Sequence, residues 1–225
     1  MNAPYQKPFA WSYSKLKNFE TCPKRHYEID LAKNFQEEES DTLKWGNEVH
    51  KHLAARCGWK RVPLPETMKP FEKWCERVTA GAGDIEVEQK LAITRDYGPC
   101  GYFDRTAWFR GIGDVIKRCE DVALILDWKT GKVLDDSVQL ALMAQCVFAH
   151  YPDIKKVRSE FIWLKYEDTS TGETFSREDM PNLWKYIWHR VESLENAYKT
   201  TTYPAKPGSL CKKWCPVTSC PHHGK

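Results

Sequence analysis

A chain of 225 residues with 41% hydrophobic and 13% aromatic residues can bury a full core, which excludes a disordered or low-complexity protein. The formal net charge is only +3, but six Lys/Arg face three acids in residues 1–35, and residues 196–225 hold five lysines and no acid. Basic ends suit a polyanion, because each phosphate neutralised releases counterions. The opening "MNAPYQKPFAWSYSK" lacks the apolar stretch of a signal peptide, and no apolar run approaches the roughly 20 residues of a membrane helix. A cytoplasmic protein without a membrane partner is expected.

In chain order, Ser14 is expected to cap a short helix carrying Leu16 and Phe19 on one side, broken at Cys22-Pro23. Pro23 then opens a second helix through about Leu31. After the charged loop "QEEESD", Asp41 is expected to cap "TLKWGNEVHKHLAARC", stopped by Gly58, with Val49, Leu53 and Cys57 on one stripe. Residues 66–80 form a further helix ended by "GAG". The period then changes. "IEVEQKLAI" alternates as a strand does, "TAWFRGIGDVI" and "DVALILDWK" follow as two more, and "KRCE" links them. Residues 136–150 read as a helix ended at Tyr151-Pro152, "VRSEFIWLKYED" as a strand, "TSTGE" as a turn and 178–200 as a long helix. This order implies an α/β fold around a mixed sheet. From Tyr203 onward Pro, Gly, Cys and Lys dominate, so the tail needs an anchor other than a core.

The segment "GIGDVIKRCEDVALILDWKTGK" carries the chemistry. Alternation puts Asp127 and Lys129 on one face of a strand while Trp128 points away. A hairpin can bring Asp114 beside Asp127. Paired carboxylates repel unless a cation lies between them, and hard oxygen ligands of this kind favour Mg²⁺ or Mn²⁺. Lys129 could then orient an attacking water and offset charge developing on a phosphate. A lone Asp-x-Lys is ordinarily just a strand entering a turn, so the assignment depends on the neighbouring motifs.

"GIGDVI" followed by "LDWKTGK" resembles the central motifs of the PD-(D/E)XK nucleases, RecB-like branch. The resemblance implies a restriction-endonuclease-like core, a central mixed sheet flanked by helices, in which Asp114 and Asp127 bind metal and Lys129 acts on water. "GNEVHKHL" resembles the helical motif with a metal-binding histidine, here His50; the Trp128 backbone carbonyl is a further implied ligand. "EVEQKLAI" places Glu88 at a recurrent acidic position as an accessory residue, and "QLALMAQ" places Gln139 near the site. Where the family often has Tyr four residues after this Gln, the sequence has Met143. The implied activity is hydrolysis of DNA phosphodiesters, most naturally by an exonuclease acting on single strands or free ends in recombination, repair or CRISPR-type processing. A non-catalytic DNA-binding adaptor on the same scaffold is the alternative.

Nine cysteines are many for a chain without a secretion signal. Cys57, Cys75, Cys119 and Cys146 are read as packing thiols, Cys100 is left unassigned, and Cys211, Cys215 and Cys220 cluster in "CKKWCPVTSC". The opening "SYSKLKNFETCPKRHYEIDL" resembles that of iron–sulfur members of the same branch, the CRISPR-associated RecB-like exonucleases and the nuclease domain of AddB. That resemblance implies a [4Fe–4S] cluster on Cys22, Cys211, Cys215 and Cys220, joining the two terminal segments. Zinc on the three tail cysteines with His222 or His223 is the competing possibility. The basic ends would then meet at the cluster beside a DNA strand, with Trp11, Trp45 or Trp128 as candidates for base stacking. The expected organisation is one nuclease domain over 1–225: a helical segment at 10–35, a core at 41–200 and a cysteine-rich tail at 201–225.

Overall fold

The computed structural model describes residues 8–133, 136–170 and 172–225. They divide into two compact units, Ser40–Leu183 on the one hand and the described part of Met1–Glu39 with Trp184–Lys225 on the other.

In the Ser40–Leu183 unit, α3 (Asp41–Cys57) is capped by Ser40, whose hydroxyl accepts the Leu43 N–H, one residue before the expected cap. The stretch at 66–80 is a 3₁₀ turn, Glu66–Phe71, leading into α4 (Glu72–Thr79). The sheet has seven strands among the described residues: β1 (Asp84–Ile93), β2 (Pro99–Cys100), β3 (Phe109–Cys119), β4 (Val122–Lys129), β5 (Lys156–Trp163), β6 (Asp168–Thr169) and β7 (Glu173–Ser176). Their order is β2-β1-β3-β4-β5-β6, with β7 also pairing β5. The sheet is mixed. β1, β3 and β4 are antiparallel neighbours, whereas β4 and β5 run parallel and are joined by the crossover helix α5 (Ser137–His150). Such parallel strands are covered on both faces, which is why Ala123 to Leu126 is an unbroken apolar run.

One face packs on α3 and α4 through Val49, Leu53, Cys57, Cys75 and Val78 against Val115, Leu126, Trp128 and Ile162. On the other, Leu140 of α5 packs on Phe161 and Trp163. The end of α5 is closed by Arg177, whose guanidinium donates to the carbonyls of Phe148, Tyr151, Pro152 and Ile154. The short strand β2 lies in a stretch to which the sequence pattern assigns no element, and β7 begins at the last residue of the expected turn "TSTGE". Cys119, expected in the core, is exposed at the end of β3, because the chain reverses immediately after it through Glu120 at φ 54°.

In the other unit, α1 (Tyr13–Thr21) is capped by Ser12, two residues before the expected Ser14. α2 (Pro23–His26) continues as a π-helical turn to Leu31, and α6 (Met180–Thr200), which belongs to this unit from Trp184 onward, supplies the long C-terminal helix. Glu20 accepts two bonds from Arg190 of α6, at 2.5 and 2.9 Å, and Tyr27 stacks on Tyr203. A short helix, α7 (Leu210–Lys213), lies in the tail. No described helix is long and apolar enough to cross a membrane.

Candidate functional site

The site in the Ser40–Leu183 unit forms where the sheet opens. The β3–β4 ladder runs from Cys119↔Val122 only as far as Val115↔Leu126, while β4 continues beside β5 to Lys129↔Trp163. Past Leu126 the Trp128 N–H therefore has no β3 carbonyl opposite it. It donates instead to Asp114 Oδ2, at 2.7 Å.

The backbone also turns Asp114 toward α3. A Cβ built on Gly111 or Gly113 would meet Met143 of α5, whereas Val115 packs with Val49 and Leu53 of α3. Plain alternation would keep residues 111, 113 and 115 on one face. The two faces exchange at Asp114, directly across from Glu88, which sits in left-handed conformation at φ 50° while its neighbours stay in register, Val87↔Val115 and Gln89↔Gly113. A non-glycine residue there is strained, and strain of this kind is held where the surrounding structure demands it.

As a result His50, Glu88 and Asp114 offer ligand atoms that all lie within 4.8 Å of one another. His50 Nδ1 is 3.2 Å from Asp114 Oδ1 and 4.0 Å from Glu88 Oε1. Beside them Asp127, Lys129 and Gln139 close a ring: Lys129 Nζ stands 2.6 Å from Asp127 Oδ1 and donates to Gln139 Oε1 at 3.2 Å, while Gln139 Nε2 donates to Asp127 Oδ2 at 2.5 Å. The Lys129 ammonium also lies 4.9 Å from the centre of the Phe161 ring.

Burial and then the charge of Asp114 push Asp127 up to about 6, against the opposing pull of Lys129 and His50. Burial and Asp114 likewise raise Glu88. Burial alone would lower His50, but its bond to Asp114 and the charges of Asp114, Asp127 and Glu88 raise it. Crowded, partly desolvated carboxylates with one imidazole form a hard oxygen and nitrogen donor set of the kind a divalent cation takes.

The expected histidine and first aspartate thus meet directly, and Gln139 touches both Asp127 and Lys129. Glu88, expected only as an accessory, belongs fully to the acid cluster. Its place on an alternating strand was visible in the sequence, but the left-handed turn that aims it was not. Of the three tryptophans considered for stacking, Trp11 and Trp128 are each only 1% exposed and belong to the core; Trp45 is 42% exposed.

A family model for the PD-(D/E)XK nuclease superfamily matches residues 59–221. The chain belongs to the PD-(D/E)XK nuclease superfamily. Membership makes it a nuclease-type hydrolase with a nucleic acid substrate, in a superfamily whose nucleases use divalent metals. The matched span contains Glu88, Asp114, Asp127, Lys129 and Gln139 as well as the three tail cysteines; His50 and Cys22 precede it. No curated protein matches the chain. Among solved structures it is similar to the crystal structure of SSO0001, with 14% identity and a TM-score of 0.46 over 98% of this chain and 89% of that one.

In the unit of the two terminal segments, Cys22, Cys211, Cys215, Cys220 and His222 line one pocket with Lys24, Arg25 and Lys206. Cys22 Sγ accepts the Lys206 N–H at 3.4 Å, and Cys211 Sγ the Gly208 N–H at 3.5 Å. The Lys24 N–H donates to Pro204 O, holding the helical opening to the tail.

Proposed function

We propose that this nuclease-superfamily chain is a Mg²⁺- or Mn²⁺-dependent deoxyribonuclease acting on single-stranded DNA or DNA ends. The observation that carries the proposal is the acid cluster of His50, Glu88 and Asp114 adjoining the Asp127–Lys129–Gln139 ring. His50, Asp114 and Asp127 would hold the ion, with Glu88 and the Trp128 carbonyl as further donors. When bound, such an ion makes a water more acidic and offsets charge on the phosphate.

The remaining work falls to the side chains. The water oxygen forms a bond to phosphorus and releases a proton to solvent; the bridging bond to the sugar oxygen breaks, and that oxygen leaves with a proton from solvent. Lys129, held in place by Asp127 and Gln139, directs its remaining N–H at the attacking water, and its charge offsets that developing on the phosphate. Gln139 bonds both partners at once, so it fixes the orientation of the pair. Exonucleolytic work in recombination, repair or CRISPR-type processing is the role that the resemblance of the motifs supports.

End-labelled single- and double-stranded DNA incubated with Mn²⁺ tests this. Wild type is expected to cut, and Asp127→Ala and Lys129→Ala to lose at least about 100-fold in rate while melting as cooperatively as wild type. Mn²⁺ at about 100 times its Kd should stabilise wild type by about 2.7 kcal/mol, an effect that Asp114→Asn removes. Metal-dependent cutting retained in both variants refutes the assignment, and DNA binding without products assigns the chain to the adaptor class.

For the terminal segments we infer a [4Fe–4S] cluster on Cys22, Cys211, Cys215 and Cys220. Four thiolates are the usual complement of such a cluster, and these four cysteines line one pocket. Local tetrahedral zinc would need only the three tail cysteines and one histidine, whereas Cys22 lines the pocket with them. Anaerobically purified protein should be brown and carry iron; colourless protein with stoichiometric zinc overturns the cluster.

A further inference from the structure

Next to the acid cluster, the same face of β1 and β3 carries a patch that the chemistry above does not use. Lys90 pairs with Ile112 in the register immediately beyond Glu88 and Asp114, about 7 Å further along the strands. Lys90 is exposed, and Ile112 is 42% exposed although it lies in the middle of the sheet order. Lys90 Nζ lies 5.9 Å from the centre of the Tyr102 ring and 5.6 Å from that of Phe103; the Arg110 guanidinium lies 5.8 Å from Tyr102.

Phe103 is 79% exposed, and its ring meets Tyr102 edge-on at 5.1 Å. A ring this exposed gains little from burial, yet the loop presenting it is tightly made. The Gly101 N–H donates to Asp104 Oδ2 at 2.8 Å, the Ala107 N–H donates to Asp104 O, and Arg110 Nη2 donates to the same carbonyl at 3.2 Å. A Cβ at Gly101 would fall 2.8 Å from the Asp104 carboxylate, so glycine lets that side chain close on the loop backbone. The loop holds Phe103 outward.

We propose that Lys90, Tyr102, Phe103, Arg110 and Ile112 form the track along which a single strand of DNA reaches the acid cluster, its bases stacking on the two rings and its phosphates on the two cations. Stacking platforms interleaved with cations are how single strands are held without sequence preference. Duplex DNA keeps its base faces covered and would use the cations alone. The inference rests on the proposed deoxyribonuclease activity for the choice of DNA, and it names the form of the substrate.

Fluorescence anisotropy with the full chain and an oligothymidylate of about 15 nucleotides, without added divalent ion, tests the track. Phe103→Ala should weaken binding by roughly 5- to 100-fold, and Phe103→Tyr should restore it to within about twofold. Lys90→Ala should lower the slope of log affinity against log salt by about 0.7. An unchanged Phe103→Ala overturns the proposal. So does an equal loss for a blunt duplex, which assigns a backbone contact, and so does a loss confined to an oligouridylate arm, which assigns RNA. The two proposals fail separately: wild type that cuts DNA while Phe103→Ala binds normally sinks only the track. Wild type that never cuts while Phe103→Ala loses oligothymidylate sinks only the nuclease assignment.

Discussion

Cys22→Ala is the perturbation with the largest expected effect on stability. Cys22 is separated from Cys211 by a stretch of about 190 residues, and the proposed cluster, bonded to both, would close that loop. In the chain-entropy treatment used for cross-links, a loop of this length restricts the unfolded chain by about 5 kcal/mol at 25 °C. For a chain of this size that corresponds to a melting midpoint lower by about 10–20 °C. The assay is iron content and visible absorbance of anaerobically purified protein, with thermal unfolding followed by circular dichroism. Cys119→Ala is the control, since its thiol is exposed and the pocket of the four cysteines does not include it. Cys22→Ala that keeps its iron and melts within about 2 °C of wild type would refute both the ligand assignment and the tether.

Arg177→Ala should cost about 2–3 kcal/mol in urea unfolding, because one carbonyl in the last turn of α5 and three just beyond it lose a charged donor; a loss under about 0.5 kcal/mol would show that they are satisfied otherwise. Asp30 supplies a pH test. Burial alone would raise its carboxyl, but bonds from His26 and Asn18 and the charges of His26 and Arg25 hold it below its ordinary value. A depressed carboxylate contributes stability above its unfolded pKa of about 3.9 and loses it as pH falls through the folded value. The stability gap between wild type and Asp30→Asn should therefore be open at about pH 5 and narrow below about pH 4; a gap independent of pH would contradict the pairing.

The α/β order was legible because β4 and α5 carry strong local signals: an apolar run that enters Asp127, then a helix buried along nearly its whole length. Asp127 and Lys129 on a common side of β4 followed from the period of a strand, and Gln139 meets them there. The sequence could not report which way Asp114 faces. That depends on a left-handed backbone at Glu88, a residue type with no local preference for it, and on Gly111 and Gly113 making room for Met143. It also missed the shifted caps: Ser12 and Ser40 were passed over for neighbours with equally good capping side chains, and only the backbone chooses between them. Trp11 and Trp128 were candidates for stacking because aromatic rings suit bases, but they are as useful to a core, and burial decided.

The unit built from both ends of the chain is interrupted by 144 residues of the other, Ser40–Leu183. During synthesis the N-terminal helices emerge first, yet their partners in α6 and the tail are made last. Ser40–Leu183 has its whole sheet in hand before the tail is made and can fold as it leaves the ribosome. Until α6 and the tail emerge, Glu20 lacks Arg190 and Tyr27 lacks Tyr203. The interval between the two events is when a nascent chain of this protein is most open to proteases and chaperones.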